Sequence, residues 1–319
     1  MSDFTSGFWS WYVIVLTVGG IAYCAWLLWK MSKAKVSGTA HPGGASKGAE
    51  LTGHVWDGDL AEYNNPLPRW WMWLFWITIV FAIGYLALYP GLGTVRGVLG
   101  WTSTSAYESE RMEAEARLKP LYDKYLAMEL TQVAVDPQAH AIGERLFLNN
   151  CAQCHGSDAG GGKGYPNLRD PDWLYGGAPD MIKASIMEGR NGVMPPIGKT
   201  LGAENVKKVV AYVRSLSGLP SDGLNAQLGK PLFMQNCAAC HGPEGKGNQA
   251  IGAPNLSDRV WLYGSSEATI TETVMNGRGS PTLSEGQSAM PAWKDKLGEA
   301  RVHVLAAYVW SLSNSAVTQ

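Results

Sequence analysis

Two short stretches of the chain carry a pair of cysteines with a histidine directly behind them. Both read C-x-x-C-H, and their residues are Cys151, Cys154 and His155, then Cys237, Cys240 and His241. This spacing is the attachment signature of c-type haem. Two thiols about one helical turn apart can each add across one vinyl group of the porphyrin, and the imidazole that follows then falls under the iron. The pattern predicts two covalently bound c-type haems, each with a histidine as proximal iron ligand.

Two other kinds of site also use cysteine pairs. A zinc site built from four cysteines would not need a histidine after both pairs. A dithiol redox motif is expected in a βαβ context, whereas the apolar residues around both motifs follow a helical pattern. Neither alternative explains the repeated histidine, so haem attachment is the favoured interpretation.

A methionine after each motif can supply the sixth ligand of the iron. The candidates are Met181, Met187 and Met194 after the first motif and Met275 and Met290 after the second. Met194 in "GVMPPIG" and Met290 in "SAMPAW" each precede a proline, which biases the backbone to the extended shape of a loop. Met187 and Met275 occupy equivalent helical positions and are interpreted as core residues. We expect Met194 to ligate the first iron and Met290 the second, giving low-spin electron carriers of raised potential.

The two motifs belong to two copies of one helical domain. "GERLFLNNCAQCHG" aligns with "GKPLFMQNCAACHG", and "PNL" and "WLYG" also recur in register after a two-residue slip. The helix that closes each copy has apolar residues at helical spacing. They are Val206, Val209, Val213 and Leu216 in the first copy and Val302, Leu305, Val309 and Leu312 in the second. The expected architecture is all-α, with one cytochrome c domain at 136–219, a second at 220–319 and a helical linker at 96–135.

Two apolar stretches near the N-terminus, 8–29 and 70–91, contain no Asp, Glu, Lys, Arg or His. Each is long enough to cross about 30 Å of hydrocarbon as a helix, and tryptophans near their ends resemble an interfacial belt. The first stretch is longer than the apolar part of a signal peptide and lacks a basic region in front of it. We therefore expect residues 1–95 to form a membrane anchor of two transmembrane helices.

Basic residues concentrate in the loop between these two stretches. They are Lys30, Lys33, Lys35, Lys47 and Arg69, whereas the N-terminal tail has none and the segment after the second stretch has only Arg96. By the positive-inside rule the loop is cytoplasmic, so the N-terminus and the haem domains lie on the periplasmic side of a bacterial inner membrane. The loop is rich in Gly, Ser and Ala and ends with two prolines, so little regular structure is expected there.

The overall composition argues against a nucleic acid partner. The formal net charge is -1, 17% of the residues are charged, and no Lys or Arg run could neutralise phosphates. The fifth cysteine, Cys24, lies within the first apolar stretch. His140 and His303 have no histidine at the matching position of the other copy and are interpreted as surface residues.

The chain resembles the membrane-anchored dihaem cytochrome c subunit (subunit III) of cbb3-type cytochrome c oxidases. The stretch "GHVWDGDLAEYNNPLPRWW" from Gly53, which leads into the second span, is the most specific part of a resemblance that covers nearly the whole chain. Many members of that family have one span, so the stretch 8–29 departs from the usual pattern. The resemblance implies two tandem class I cytochrome c domains. The ligand sets it implies are Cys151, Cys154, His155 and Met194 for one haem and Cys237, Cys240, His241 and Met290 for the other.

The resemblance also implies a place in a respiratory chain. Electrons would enter from a soluble cytochrome c or a cytochrome bc complex and pass to a monohaem cytochrome c subunit. They would then reach a catalytic haem-copper subunit that reduces oxygen to water and pumps protons. The sequence agrees, because neither apolar stretch contains histidine and no C-x-x-x-C copper motif is present. We expect an electron-entry subunit rather than the catalyst. Two alternatives stay open: a free-standing membrane-anchored dihaem cytochrome, and the cytochrome subunit of a periplasmic dehydrogenase.

Overall fold

The computed structural model describes residues 6–33, 51–63, 68–279 and 289–314. The chain divides into two compact units, Met1–Glu115 and Ala116–Gln319. The first unit contains α1 (Gly7–Lys33), β1 (Leu51–Trp56), β2 (Leu60–Tyr63), α2 (Arg69–Leu88) and the start of α3 (Ser103–Leu126). In the second unit, α3 is followed by α4 (Leu130–Val135), α5 (Pro137–Asn150), α6 (Ala152–His155), α7 (Pro179–Glu188), β3 (Arg190–Asn191), α8 (Gly198–Leu201) and α9 (Ala203–Leu216). The chain continues with α10 (Gly223–Asn236), α11 (Ala238–His241), α12 (Glu267–Asn276), β4 (Ala289–Met290), α13 (Lys294–Leu297) and α14 (Glu299–Ser313).

The two predicted spans are confirmed as the helices α1 and α2. Their mean hydropathies are 1.8 and 2.0, and both are long enough to cross a membrane. Leu28 is buried in α1 and Ile79 in α2, while most other side chains of both helices are exposed, which suits a lipid surrounding better than a protein core. Helix α2 ends three residues before the apolar run does, because Tyr89 precedes Pro90 and adopts an extended conformation.

Part of the inter-helix loop forms a β-hairpin, where little regular structure was expected. Strands β1 and β2 pair antiparallel, with Trp56 opposite Leu60. The turn between them is Asp57-Gly58, and both residues have positive φ angles, 52° and 88°. An Asp-Gly pair favours the tight turn whose twist matches antiparallel strands. The Gly, Ser and Pro content of the whole loop does not reveal this local turn signal. Lys35 and Lys47 lie outside the described residues.

The helices of the second unit exchange partners between the two sequence copies. Helix α9, which ends the first copy, packs against α10 and α12 of the second copy. Helix α14, which ends the second copy, packs against α5 and α7 of the first copy and against α4. We call α4–α7 with α13 and α14 bundle A, and α8 and α9 with α10–α12 bundle B. The structure thus differs from the expected succession of one domain at 136–219 and another at 220–319.

The exchange follows from two properties of the sequence. The closing helices carry the same apolar stripe, so either one can fill the core of either bundle. In addition, the connection 217–222 between α9 and α10 is short, and a short connection favours an antiparallel pair of neighbouring helices. The buried core of bundle B accordingly joins Val206 and Val209 of α9 to Phe233 of α10. The core of bundle A joins Val302 and Leu305 of α14 to Phe147 of α5.

Bundle A has an outer layer that buries His303, contrary to the expectation of a surface residue. The end of α3 and the helix α4 contribute Tyr125, Leu130 and Val133 to the same core as α14. His303 is therefore 7% exposed, and its Nε2 lies 3.1 Å from the carbonyl oxygen of Met128. The matching residue in α9, Lys207, remains exposed. The alignment of the copies could not show this difference, because the covering segment precedes the first copy and has no repeat.

Candidate haem-binding sites

The two cysteine motifs adopt the same local structure. Helices α5 and α10 end directly before Cys151 and Cys237, and one further turn, α6 or α11, carries the second cysteine and the histidine. The backbone N–H of the histidine donates to the carbonyl of the first cysteine at 3.0 Å in both motifs. Each turn is ended by a glycine with positive φ, 80° at Gly156 and 77° at Gly242. The two thiols of a motif thus sit on one turn of helix, as attachment to two neighbouring vinyl groups requires.

The two histidines are buried and oriented by a backbone carbonyl. His155 and His241 are each 8% exposed. Nδ1 of His155 lies 2.9 Å from the carbonyl oxygen of Pro166, and Nδ1 of His241 lies 3.1 Å from that of Pro254. Burial lowers the pKa of both imidazoles, although these hydrogen bonds act in the opposite direction. A neutral ring that donates from Nδ1 keeps the lone pair of Nε2 for a metal.

The first cysteine of each motif is poorly suited to redox exchange as a free dithiol. Burial, followed by the neighbouring Cys154, raises the pKa of Cys151 to about 11. The pKa of Cys237 is also raised to about 11, for the same reasons with Cys240 as neighbour. Dithiol catalysts need the opposite, a lowered thiol pKa that makes the reactive thiolate available. The electrostatics therefore disfavour the dithiol alternative.

The candidate sixth ligands lie in the two bundles in the reverse of the expected order. Met290, from the second copy, packs against the core of bundle A together with Cys151. Met194, from the first copy, packs against the core of bundle B, to which Cys237 belongs. The expected pairing joined each methionine to the motif of its own copy, and the exchange of the closing segments separates them.

The other methionines occupy the places that the sequence indicated. Met187 packs against the core of bundle A and Met275 against that of bundle B. Met181 is 41% exposed on α7. Among the candidates, Met194 and Met290, each directly before a proline, are the two whose positions suit an axial role.

An unpaired indole N–H supports the presence of a bound group in bundle B. Trp261 packs against the core that contains Cys237. Its Nε1 is buried, and within the described residues it has no hydrogen-bond partner. A buried donor without an acceptor is costly, so such a group points to an acceptor supplied from outside the chain. Haem carries two propionate groups that can act as acceptors, and the residues present fit this cofactor.

The loops that follow the two motifs contact each other directly. The backbone N–H of Gly164, after the first motif, donates to the carbonyl of Leu262 at 2.8 Å. Nε2 of Gln249, after the second motif, donates to the carbonyl of Trp173 at 3.0 Å. A groove of about 610 Å³ runs between the two loops and is lined by both. The two candidate sites therefore share one interface.

Residues of the repeated "PNL", "WLYG" and "MEGR"/"MNGR" stretches position the sites, although sequence reasoning gave them no role. The prolines supply the carbonyls that orient the histidines. Arg190 stacks over the ring of Tyr175 at 4.8 Å, and Arg278 over the ring of Tyr263 at 4.4 Å. The sequence carries a signal for this role, because these stretches lie outside the apolar stripe and recur after both motifs with one constant shift of two residues.

The comparisons with known proteins agree with the motifs. A family described as "Cytochrome C oxidase, cbb3-type, subunit III" matches residues 138–213 and again 224–309, and a family described as "N-terminal domain of cytochrome oxidase-cbb3, FixP" matches 48–96. The chain is 50% identical to "Cbb3-type cytochrome c oxidase subunit CcoP" of Rubrivivax gelatinosus, over 99% of this chain and 98% of that one. It is 43% identical to "Cbb3-type cytochrome c oxidase subunit FixP" of Bradyrhizobium sp. (strain ORS 278), over 83% of this chain and 95% of that one. Helix α1 lies outside both family matches.

Proposed function

Because this chain belongs to the subunit III family of cbb3-type cytochrome c oxidases, we propose that it is the electron-entry subunit of such an oxidase. It is a membrane-anchored electron-transfer subunit. It accepts electrons from a soluble cytochrome c or a cytochrome bc complex and passes them through a monohaem cytochrome c subunit. The catalytic haem-copper subunit then reduces oxygen to water and pumps protons. This chain contributes no oxygen-reducing site of its own.

The observation that carries the proposal is the pair of buried histidines behind the two cysteine pairs. Each has one ring nitrogen engaged by a proline carbonyl and the other left for a metal. Cys151 and Cys154 hold one c-type haem through thioether bonds, and Cys237 and Cys240 hold the second. His155 and His241 are the proximal ligands, and the sixth ligands come from Met194 and Met290. The bound haem iron supplies the chemistry, a reversible one-electron change between the ferric and ferrous states.

The residues around each motif favour electron transfer over ligand binding. A methionine as sixth ligand raises the reduction potential and leaves no open position for oxygen. Burial of the two histidines limits the access of water to their rings, and the proline carbonyls fix the ring orientation. The contact between the two motif-bearing loops brings the two sites to a common interface, which suits a relay.

The orientation in the membrane follows from the charges next to the spans. Lys30 and Lys33 lie in the last turn of α1, and Arg69 begins α2. These residues flank the inter-helix loop, which we place in the cytoplasm by the positive-inside rule. The N-terminus and the haem domains then face the periplasm.

The experiment is mild detergent extraction of the chain with its native partners. We expect b-type haem to co-purify with c-type haem, and the preparation to consume oxygen with reduced cytochrome c as donor. Haem staining after denaturation should show covalent haem on this chain, with half the haem in the variant Cys237→Ala/Cys240→Ala. A preparation with c-type haem and no oxygen uptake would make the chain a stand-alone cytochrome. A preparation without covalent haem would overturn the site assignment.

A further inference from the structure

The segment that follows the second span, residues 90–101, folds back against the end of α2. The backbone N–H of Val98 donates to the carbonyl of Ala87 at 2.9 Å, and that of Leu99 donates to the carbonyl of Leu88 at 3.0 Å. The last carbonyls of a helix have no partner within it, and in a membrane each unsatisfied carbonyl is costly. The segment therefore completes the hydrogen bonding at the end of α2 in place of water.

Two glycines allow this close return of the chain. Gly97 has a φ of +70°, and a Cβ there would lie 2.5 Å from the carbonyl oxygen of Leu88. Gly93 has a φ of +58°, and a Cβ there would lie 2.8 Å from Cα of Ser10 in α1. A residue with a side chain could take neither position without a shift of the backbone. Contacts with both spans thus hold the segment at one end of the helix pair.

The side chains of the segment are largely apolar and exposed. Val98 is 82% exposed and Leu99 56%. Since their backbone is bonded to the last turn of α2, they continue the apolar surface that the span presents to lipid. Residues 90–107 contain no Asp or Glu, and Arg96 is the only charged residue among them. This composition suits a lipid interface, where apolar side chains are buried and a long basic side chain can reach the phosphates.

Aromatic rings lie at the same end of the span. The rings of Tyr85 and Tyr89 stack at 5.0 Å, and the ring of Trp101 meets that of Tyr89 edge-on at 5.9 Å. Tyr and Trp are enriched where a membrane meets water. The rings therefore place both ends of the returning segment at the membrane surface.

From these contacts we infer that residues 90–101 form a lipid-inserted cap on the second span. Val98 and Leu99 lie among the lipids of the leaflet at the C-terminal end of α2, which is the periplasmic leaflet in the proposed orientation. The partner of this surface is a phospholipid bilayer. The inference goes beyond the proposed electron transfer, because the cap fixes the point at which the chain leaves the membrane.

A fluorescent label at position 98 reports whether the cap lies in lipid. The full holoprotein carries Cys24→Ser and Val98→Cys, is labelled with a nitrobenzoxadiazole dye, and is placed in nanodiscs of phosphatidylethanolamine and phosphatidylglycerol. The same chain without Val98→Cys gives the background. We expect phospholipids with a nitroxide near the headgroup to quench most of the fluorescence, and aqueous iodide to quench little of it.

The matched control is a label at Glu110→Cys, an exposed position of α3 beyond the apolar segment. There iodide should quench the dye and the lipid nitroxide should not. Strong quenching by iodide at position 98 would overturn the inference. If protection from iodide then arose only in the assembled oxidase, the surface would belong to a partner subunit and not to lipid.

A second pair of variants tests the return of the chain itself. Gly97→Ala should expose the label at position 98 to iodide, because the added Cβ displaces the backbone from the carbonyl of Leu88. Gly100→Ala is its control, since Gly100 also has a positive φ, 57°, but a Cβ there would have no neighbour within 4 Å. Equal quenching in the two variants would refute the fold-back as the cause of insertion. Quenching by iodide or lipid does not depend on electron transfer, so failure of the cap is distinguishable from failure of the proposed function.

Discussion

Helices α5 and α14 cross at Gly143, where their close approach leaves little room for a larger residue. The backbones approach so closely there that a Cβ on Gly143 would lie 2.5 Å from Cβ of Tyr308 and 3.2 Å from the carbonyl oxygen of Val304. Ordinary contact begins at 3.4 Å. In Gly143→Ala the helices must therefore separate by about 1 Å, and overpacking of this kind costs about 1–3 kcal/mol.

The same substitution brings a compensating gain. Alanine stabilises a helix by about 1 kcal/mol relative to glycine. We therefore expect a net loss of about 0–2 kcal/mol in the free energy of unfolding of bundle A. At an m-value of about 2 kcal/mol/M, the urea midpoint should fall by up to about 1 M.

The assay is urea unfolding of the detergent-solubilised full chain, followed by circular dichroism and by haem absorbance. Gly223→Ala is the matched control, because Gly223 begins α10 and a Cβ there would have no neighbour within 4 Å. We expect this control to unfold at the original midpoint or slightly above it. If Gly143→Ala instead raised the midpoint by about 0.5 M, as the helix preference of alanine alone would do, the close packing of α5 on α14 would be refuted.

Four further substitutions test two buried polar groups of bundle A and one helix cap in each bundle. Tyr125→Phe removes a hydroxyl that lies 3.1 Å from two side-chain acceptors, so the unfolding free energy should fall by about 1 kcal/mol with unchanged haem spectra. Asp136→Ala removes the cap of α5 and should cost about 1 kcal/mol, as should Asp222→Ala at the cap of α10. Because a backbone N–H of α5 lowers the pKa of Asp136, its contribution should be present above about pH 4 and be lost at lower pH. Burial lowers the pKa of His303, so its unfolded form binds a proton more readily. Stability should then decline as pH falls below about 6.5, and the decline should be smaller in His303→Gln, measured as urea midpoints at two pH values.

The sequence predicted the local structure of the two motifs better than the assembly of the helices around them. The C-x-x-C-H spacing is read directly, since its geometry is set within one helical turn, and the two spans follow from length and composition. The helix against which each closing helix packs does not follow from the sequence in this way. Val206 and Val302 occupy the same position in equivalent stripes, so a periodicity that identifies a buried face does not identify the face it meets. Chain connectivity decides that, together with close backbone approaches such as that of Gly189 to the carbonyl oxygen of Met290, and both become visible only in three dimensions.

The burial of His303 was missed for a related reason. An alignment of the two copies assigns the same surroundings to matching positions, here His303 and Lys207. The segment that covers α14 lies before the first copy, so only one bundle receives it. A polar residue aligned with an exposed lysine can therefore be buried where an unrepeated segment packs on the repeat.

The partner exchange also fixes the order in which the protein can be completed during its synthesis. The closing helix of bundle B, α9, is synthesised before the cysteine motif of the same bundle. In bundle A the order is the reverse, because its motif is made first and its closing helix α14 only after the helices of bundle B. The first motif therefore lacks its closing helix until the second copy has been synthesised. A premature stop before Glu299 would thus leave the N-terminal motif without its closing helix, although every residue around that motif had been made.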